Sequence, residues 1–319
     1  MIRITDRTLS CLDSFQADPQ LFLRLTGMLI ECGVDCIEVS EKVYSMIKPL
    51  PEGVKYALRV KNAADLPGIP EFSRMICRHP YSDLPGVTVE VPVNDMSDSY
   101  TLSKYADFSS VRIKGLDGVL LGDYTAAFKQ LNRTMKGALE ICPGNSQYCA
   151  TAIAMEWASC GGSDIVASFG GIGGFAALEE VVMGLRVTRQ RKSGKHYAMF
   201  PLMRMLIQEI TKYRFPRSKP VIGEGIFCVE SGIHVDGISK QPKCYEPFPP
   251  DVVGQVRTVV LGKHSGKASV LIKLKELGFE MDSALAPELL LEVKDLSIKK
   301  NAPISSDEFL ALARKISST

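Results

Sequence analysis

This 319-residue chain has only four histidines, and two of them, His234 and His264, fall in one segment between Pro220 and Val270. Each lies in a glycine-bearing stretch, SGIHVDG and LGKHSGK, that reads as a turn. Gly232 and Gly237 bracket His234, so the backbone is expected to bend on either side and push the imidazole outward. Tyr245 follows, just ahead of a proline cluster at Pro247, Pro249 and Pro250 that stiffens the exit. An imidazole titrates near neutral pH and a phenol is a ready hydrogen-bond partner, so such a pair could move protons. The residue types and spacing equally allow both histidines to do no more than hydrogen-bond loop backbone.

The elements that must carry this segment come before and after it. Strand candidates run from Ile2 to Ile4, Val34 to Val39, Val54 to Val60, Val87 to Val91, Val111 to Ile113, Ala138 to Cys142 and Asp164 to Ser168. Helical periodicity separates several of them. It spans Pro19 to Cys32 with Gly33 as its stop, Tyr124 to Leu131, Cys149 to Ser159, the stretch from Ala176, and Met199 to Tyr213. Alternating strands and helices of this kind predict an α/β fold, a TIM-type (β/α)8 barrel over residues 1–215. The units around Lys61 to Gly86 look short, so the barrel is expected to be trimmed there. The proline-bounded RFPRSKP reads as a domain boundary, and residues 216–319 as a small, mostly helical C-terminal subdomain. Its helices are expected at Ser269 to Leu277, Pro287 to Lys299 and Ser305 to Ile316, with Ser305 and Glu308 at capping-box spacing.

Composition narrows the function classes. A hydrophobic content of 45% with 23% charged residues suits a soluble globular protein, and a net charge of +2 gives no reason to expect nucleic acid. No apolar run approaches a membrane span, and MIRITDRTLS lacks a signal-peptide core, so a cytoplasmic location is expected. Nine cysteines without paired spacing read as reduced thiols. Cys32 and Cys36 share a helical spacing, but no second ligand pair accompanies them.

The run FCVESGIHVDGI, then YEPF, then VLGKHSG resembles the region after the barrel in the homocitrate synthase and isopropylmalate synthase family, metal-dependent enzymes of the DRE-TIM type. The resemblance implies that His234 and Tyr245 are a catalytic acid/base couple reaching over the active site of a neighbouring subunit. It also extends back into the barrel, where the family's chemistry is missing. Members open with D-T-T-L-R-D-G; here the matching residues are Asp6, Arg7, Thr8, Leu9, Ser10, Cys11 and Leu12. The family's catalytic arginine thus falls on Ser10 and its metal-binding aspartate on Cys11. The H-x-H-N-D stretch falls on Cys142, Pro143, Gly144, Asn145 and Ser146, and the asparagine of the family's glycine loop on Phe175. His79 and His196 are expected to lie away from the strand ends where barrel enzymes place their chemistry.

Within the family, the chain resembles the omega type of the split homocitrate synthases. That implies a metal-competent alpha-type partner and a shared site for acetyl-CoA and a 2-oxo acid, namely 2-oxoglutarate. No cofactor or metal would be bound by this chain; the divalent metal is expected in the partner subunit. The implied reaction is a Claisen-type condensation followed by thioester hydrolysis. Glu230 and Asp236 are candidates to orient His234, and His264 to pin its own turn. Two other readings stay open: a non-catalytic regulatory or scaffolding paralogue, and a thiol-based chemistry built on Cys11 or Cys142.

Overall fold

The computed structural model describes residues 2–61, 70–78, 83–94, 102–189 and 197–318. The first element, β1 (Arg3–Asp6), ends in a one-turn helix, α1 (Thr8–Cys11). Next, α2 (Pro19–Cys32) starts on Asp18, whose carboxylate accepts from Gln20 N, and stops on Gly33 in the left-handed conformation. Its apolar face, with Phe22, Leu25 and Leu29 fully buried, packs on the barrel wall. Then come β2 (Cys36–Ser40), α3 (Glu41–Ile47), β3 (Lys55–Arg59), β4 (Arg74–Arg78), β5 (Val87–Val93) and β6 (Ser110–Gly115). The series continues through α4 (Tyr124–Thr134), β7 (Ala138–Pro143), α5 (Ala150–Ser159), β8 (Asp164–Ala167), α6 (Leu178–Val187) and α7 (Phe200–Thr211).

All eight strands are parallel, each paired with its sequence neighbour, and β8 pairs with β1 to close the barrel. The strand missing from the sequence reading is β4, which lies inside the stretch expected to be trimmed. Its RMICR carries arginine at both ends, so no apolar run flagged it; pairing with β3 and β5 supplies the backbone bonds instead. What is short is the connection: only residues 79–86 separate β4 from β5, fewer than a crossover helix takes. His79 and His196, expected to lie away from the strand ends, fall outside the described residues. Cys36 opens β2 rather than continuing the helix of Cys32.

The chain divides into two compact units: one of residues 1–216 and 220–222, the other of residues 217–219 and 223–319. The second unit contains α8 (Gly232–Lys240), α9 (Lys267–Glu276), α10 (Ala286–Lys300) and α11 (Ser306–Ser317). It also holds a two-stranded parallel ladder of β9 (Cys228–Val229) with β10 (Thr258–Val259). Its core gathers Val235, Val270, Leu274, Leu289, Val293 and Phe309. Ser305 and Glu308 close the capping box that their spacing predicts: Glu308 N donates to Ser305 Oγ at 3.2 Å, and Ser305 N to Glu308 Oε2 at 2.7 Å.

Candidate functional site

His234 is not in a turn. SGIHVDG forms the first turns of α8, and the two glycines that suggested bending serve close approach instead. A methyl group on Gly232 would lie 2.6 Å from the Cα of Gly266, so the start of this helix rests directly on the LGKHSGK turn. A methyl group on Gly237 would lie 2.1 Å from the Tyr245 hydroxyl oxygen, so the phenol lies over the space that Gly237 leaves open. The outcome is a pair: the His234 and Tyr245 rings stand with centroids 5.8 Å apart, tilted by 59°. Both are exposed on this unit, Tyr245 at 46%. Ring proximity without burial leaves both polar tips free to meet a group arriving from outside.

The expected orienting residues do something else. Glu230 accepts a 2.8 Å hydrogen bond from His264 N, fixing the turn that follows β10. A methyl group on Gly262 would meet the same carboxylate at 2.5 Å. Asp236 pairs with Lys240 Nζ at 2.7 Å, one helical turn along. On the other side, Arg257 holds Glu246, the neighbour of Tyr245, with two bonds of 2.7 Å. That fork steadies the YEPF segment, and its planar geometry is the reason an arginine does it.

In the barrel, the positions that match the family's metal and arginine set do converge, with different chemistry. Cys11, Cys142, Val166 and Phe175 form one apolar cluster. Phe175 is aimed there by an antiparallel bridge to Gly144. The Arg7 guanidinium lies 3.8 Å over the Phe175 ring and donates to Cys142 Sγ at 3.0 Å. Burial pushes the Cys11 thiol up to about 12 despite the nearby Arg7 charge, and raises Cys142 too. Both therefore stay protonated at neutral pH, which removes the basis for a thiolate chemistry. Ser10 donates to Glu38 Oε1 at 2.8 Å. Among the described residues, no three His, Cys, Asp or Glu side chains group as metal ligands.

The sequence reading passed over the feature that fills the barrel. Strand register sets Arg78, Glu90, Arg112 and Glu140 side by side across β4 to β7. Arg112 is fully buried; it pairs with Glu38, donates from Nε to Glu140 Oε1 at 3.1 Å, and lies 3.6 Å from Glu90. Arg59 bridges Glu38 and Glu90 at 2.6 Å each. Burial alone would push the Glu90 carboxyl up, but Arg59, Arg112 and Arg7 outweigh it and hold it at about 2. Glu38 is likewise held well below the carboxylate range by Arg112, Arg7 and Arg59, against its burial. Apolar side chains ordinarily fill such barrels. The available signal was one charge set in each of several apolar strands, CIEVS, VTVEVPV and ALEICP among them. A strand buried on both faces has no solvent side for that charge, so it needs a partner inside.

A closed parallel barrel and a small helical unit that presents an imidazole beside a phenol define the class: a TIM-type barrel protein with a helical C-terminal unit. Among solved structures, the barrel resembles the HMG-CoA lyase of Bacillus subtilis, with a TM-score of 0.53 at 14% identity, over 67% of this chain and 95% of that one. Residues 221–301 match the family described as homocitrate synthase post-HMGL domain-like. The chain is 30% identical to 2-isopropylmalate synthase 2 of Caldanaerobacter subterraneus, over 89% of this chain and 74% of that one. It is 28% identical to the omega subunit of homocitrate synthase from Clostridium pasteurianum, over 98% of this chain and 95% of that one. The chain belongs to the homocitrate synthase and isopropylmalate synthase family. Among the described residues, no helix is long and apolar enough to cross a membrane.

Proposed function

We propose that this chain is one subunit of a split, homocitrate synthase-like acyltransferase that joins acetyl-CoA to 2-oxoglutarate in the cytoplasm. In this reading a metal-competent alpha-type partner holds the divalent cation and the keto acid. This chain brings His234 and Tyr245 to that site. The observation that carries the reading is the pair itself: two rings fixed 5.8 Å apart by a glycine left bare for the phenol, yet both facing outward on their own unit. A fixed geometry with exposed tips is what a donated acid/base couple needs. In the condensation, the acetyl methyl group loses a proton, a carbon–carbon bond forms to the keto carbon, and the resulting oxygen takes up a proton before water cleaves the thioester. His234 would handle one of those protons, and Tyr245 would hold the imidazole or relay through its hydroxyl.

The barrel supports the division of labour. Its ligand positions do not fit a divalent metal. Cys11 and Cys142 are protonated thiols, Phe175 offers no donor atom, and the Arg7 guanidinium already supplies a positive charge beside them. Two cations crowded into one low-dielectric site repel strongly. The similarity to a protein described as an omega subunit agrees with a partnered role.

The experiment is reconstitution. The purified chain is mixed with an alpha-type subunit, and release of free CoA from acetyl-CoA is followed with and without 2-oxoglutarate. Activity is expected only in the mixture, falling about 100-fold or more with His234→Ala, the usual scale for losing a general acid or base. Full activity of the His234→Ala mixture would leave the chain a scaffold and end the donation reading.

A further inference from the structure

The barrel mouth holds a cavity of about 520 Å³ in the first unit, walled by Arg78 and Lys114 on one side, by Asn145 and Ser146 on the other, and by Phe175. Its two carboxylates are already committed. Glu90 is taken by Arg59 and by Arg78 Nε at 3.2 Å. Asp117 accepts from Ser146 N at 2.9 Å and Ser146 Oγ at 2.6 Å, closing a loop. The cations are not so matched. Among the described residues Arg78 pairs with Glu90 through Nε alone, and its side chain is 57% exposed. Lys114 has no carboxylate within ion-pair distance among the described residues; what its ammonium faces is the Phe175 ring, 5.4 Å away. Burial pulls Lys114 below the ordinary lysine range, the mark of a charge short of compensation.

The imbalance extends along the barrel axis. Among the described residues Arg7, Arg59, Arg74, Arg78 and Arg112 share the three glutamates Glu38, Glu90 and Glu140, and Lys114 forms an ion pair with none of them. Neither Arg7 Nε nor Arg112 Nη2 finds an acceptor among the described residues. Cations without anions cost free energy, and an oxyanion entering at the mouth would compensate the two that line it, Arg78 and Lys114.

We propose that the mouth of this barrel is a metal-independent binding site for a small oxyanion, an organic acid carboxylate in the first place, gripped by Arg78 and Lys114. The free edge of the Arg78 guanidinium matches the planar fork of a carboxylate, and Lys114 adds a point charge. The cavity has room for a small organic acid and its waters. The site binds without turning its ligand over, and it stands or falls separately from the donation of His234.

Thermal melting and titration calorimetry on the full chain in EDTA test it, with malonate, inorganic phosphate and chloride at matched ionic strength. Malonate is expected to raise the melting temperature above the chloride control and to bind with an affinity that falls at least tenfold in Arg78→Gln and in Lys114→Gln. Lys136→Gln, which alters only an exposed pair with Asp107, is expected to leave binding unchanged. Phosphate acting through the same two residues, and more strongly than malonate, keeps the site and moves its ligand to phosphorylated acids. If Lys114→Gln fails to fold, Arg78→Gln decides, since that side chain is largely in solvent. Three results overturn the proposal: no anion exceeding chloride, equal binding by the variants, or binding that requires added divalent metal. His234→Ala binding malonate as before would show the two sites to be independent.

Discussion

Gly237→Ala isolates the geometry of the candidate couple from its chemistry. Neither ring is altered, yet the new methyl carbon would lie 2.1 Å from the Tyr245 oxygen, 2.4 Å from Cζ and 2.7 Å from Cε2. Ordinary contact begins near 3.4 Å, so the phenol must retreat by about 1.3 Å or swing away. Tyr245 is 46% exposed, so it can swing into water at little cost. The helix itself gains, since alanine replaces a glycine in its interior, a change of about 0.5–1 kcal/mol in favour of folding. Stability and activity should therefore part company. Urea unfolding should show an unchanged or slightly higher midpoint. The reconstituted mixture should lose activity by about 10- to 100-fold, the scale for displacing an acid/base group by an ångström. Tyr245→Phe, which keeps the ring in place, should lose activity through the hydroxyl alone. Gly237→Ala with full activity would refute the claim that the fixed ring pair matters, and a clear loss of stability would refute the account of why glycine stands there.

Two predictions concern the barrel. Arg112→Met leaves Glu38, Glu90 and Glu140 short of a buried cation and should destabilise the chain by about 3–5 kcal/mol in urea titrations. A loss under about 1 kcal/mol would mean the row is not held by charge pairing. Burial raises the Asp6 carboxyl to about 7, even with Thr8 donating to it from its amide and its hydroxyl. The folded chain thus keeps a proton that the unfolded chain gives up near pH 4, about the free aspartate value. That contribution is full below the unfolded value and is lost as pH rises through about 7, so stability should decline over that window and level off above it. Glu90 does not mask the effect, because its depressed titration acts only in the acid range below the window. Asp6→Asn should flatten the slope of urea midpoint against pH between 5 and 7; an unchanged slope would assign the titration elsewhere.

What the sequence determined by itself was what local rules encode. Seven of the eight strands were legible because valine and isoleucine cluster in short runs, and α2, α10 and α11 because period, caps and stop residues agree over a dozen positions. The family was legible because FCVESGIHVDGI and VLGKHSG are long and continuous. Tertiary structure decided the rest, wherever a residue's role depends on a distant neighbour. β4 exists because two flanking strands bond it, although its end charges hide it. Gly232 and Gly237 look like turn residues by propensity, yet they sit in α8 because Gly266 and Tyr245 press against them. The charge row formed by Arg78, Glu90, Arg112 and Glu140 is scattered over four strands in the chain and becomes one interior layer only when register aligns it. Closure of the barrel leaves Glu90, Arg112 and Glu140 no solvent to face, so these charges are neutralised inside, while Arg78 closes the row at the solvent edge. The spare cations at the mouth are what that pairing leaves over.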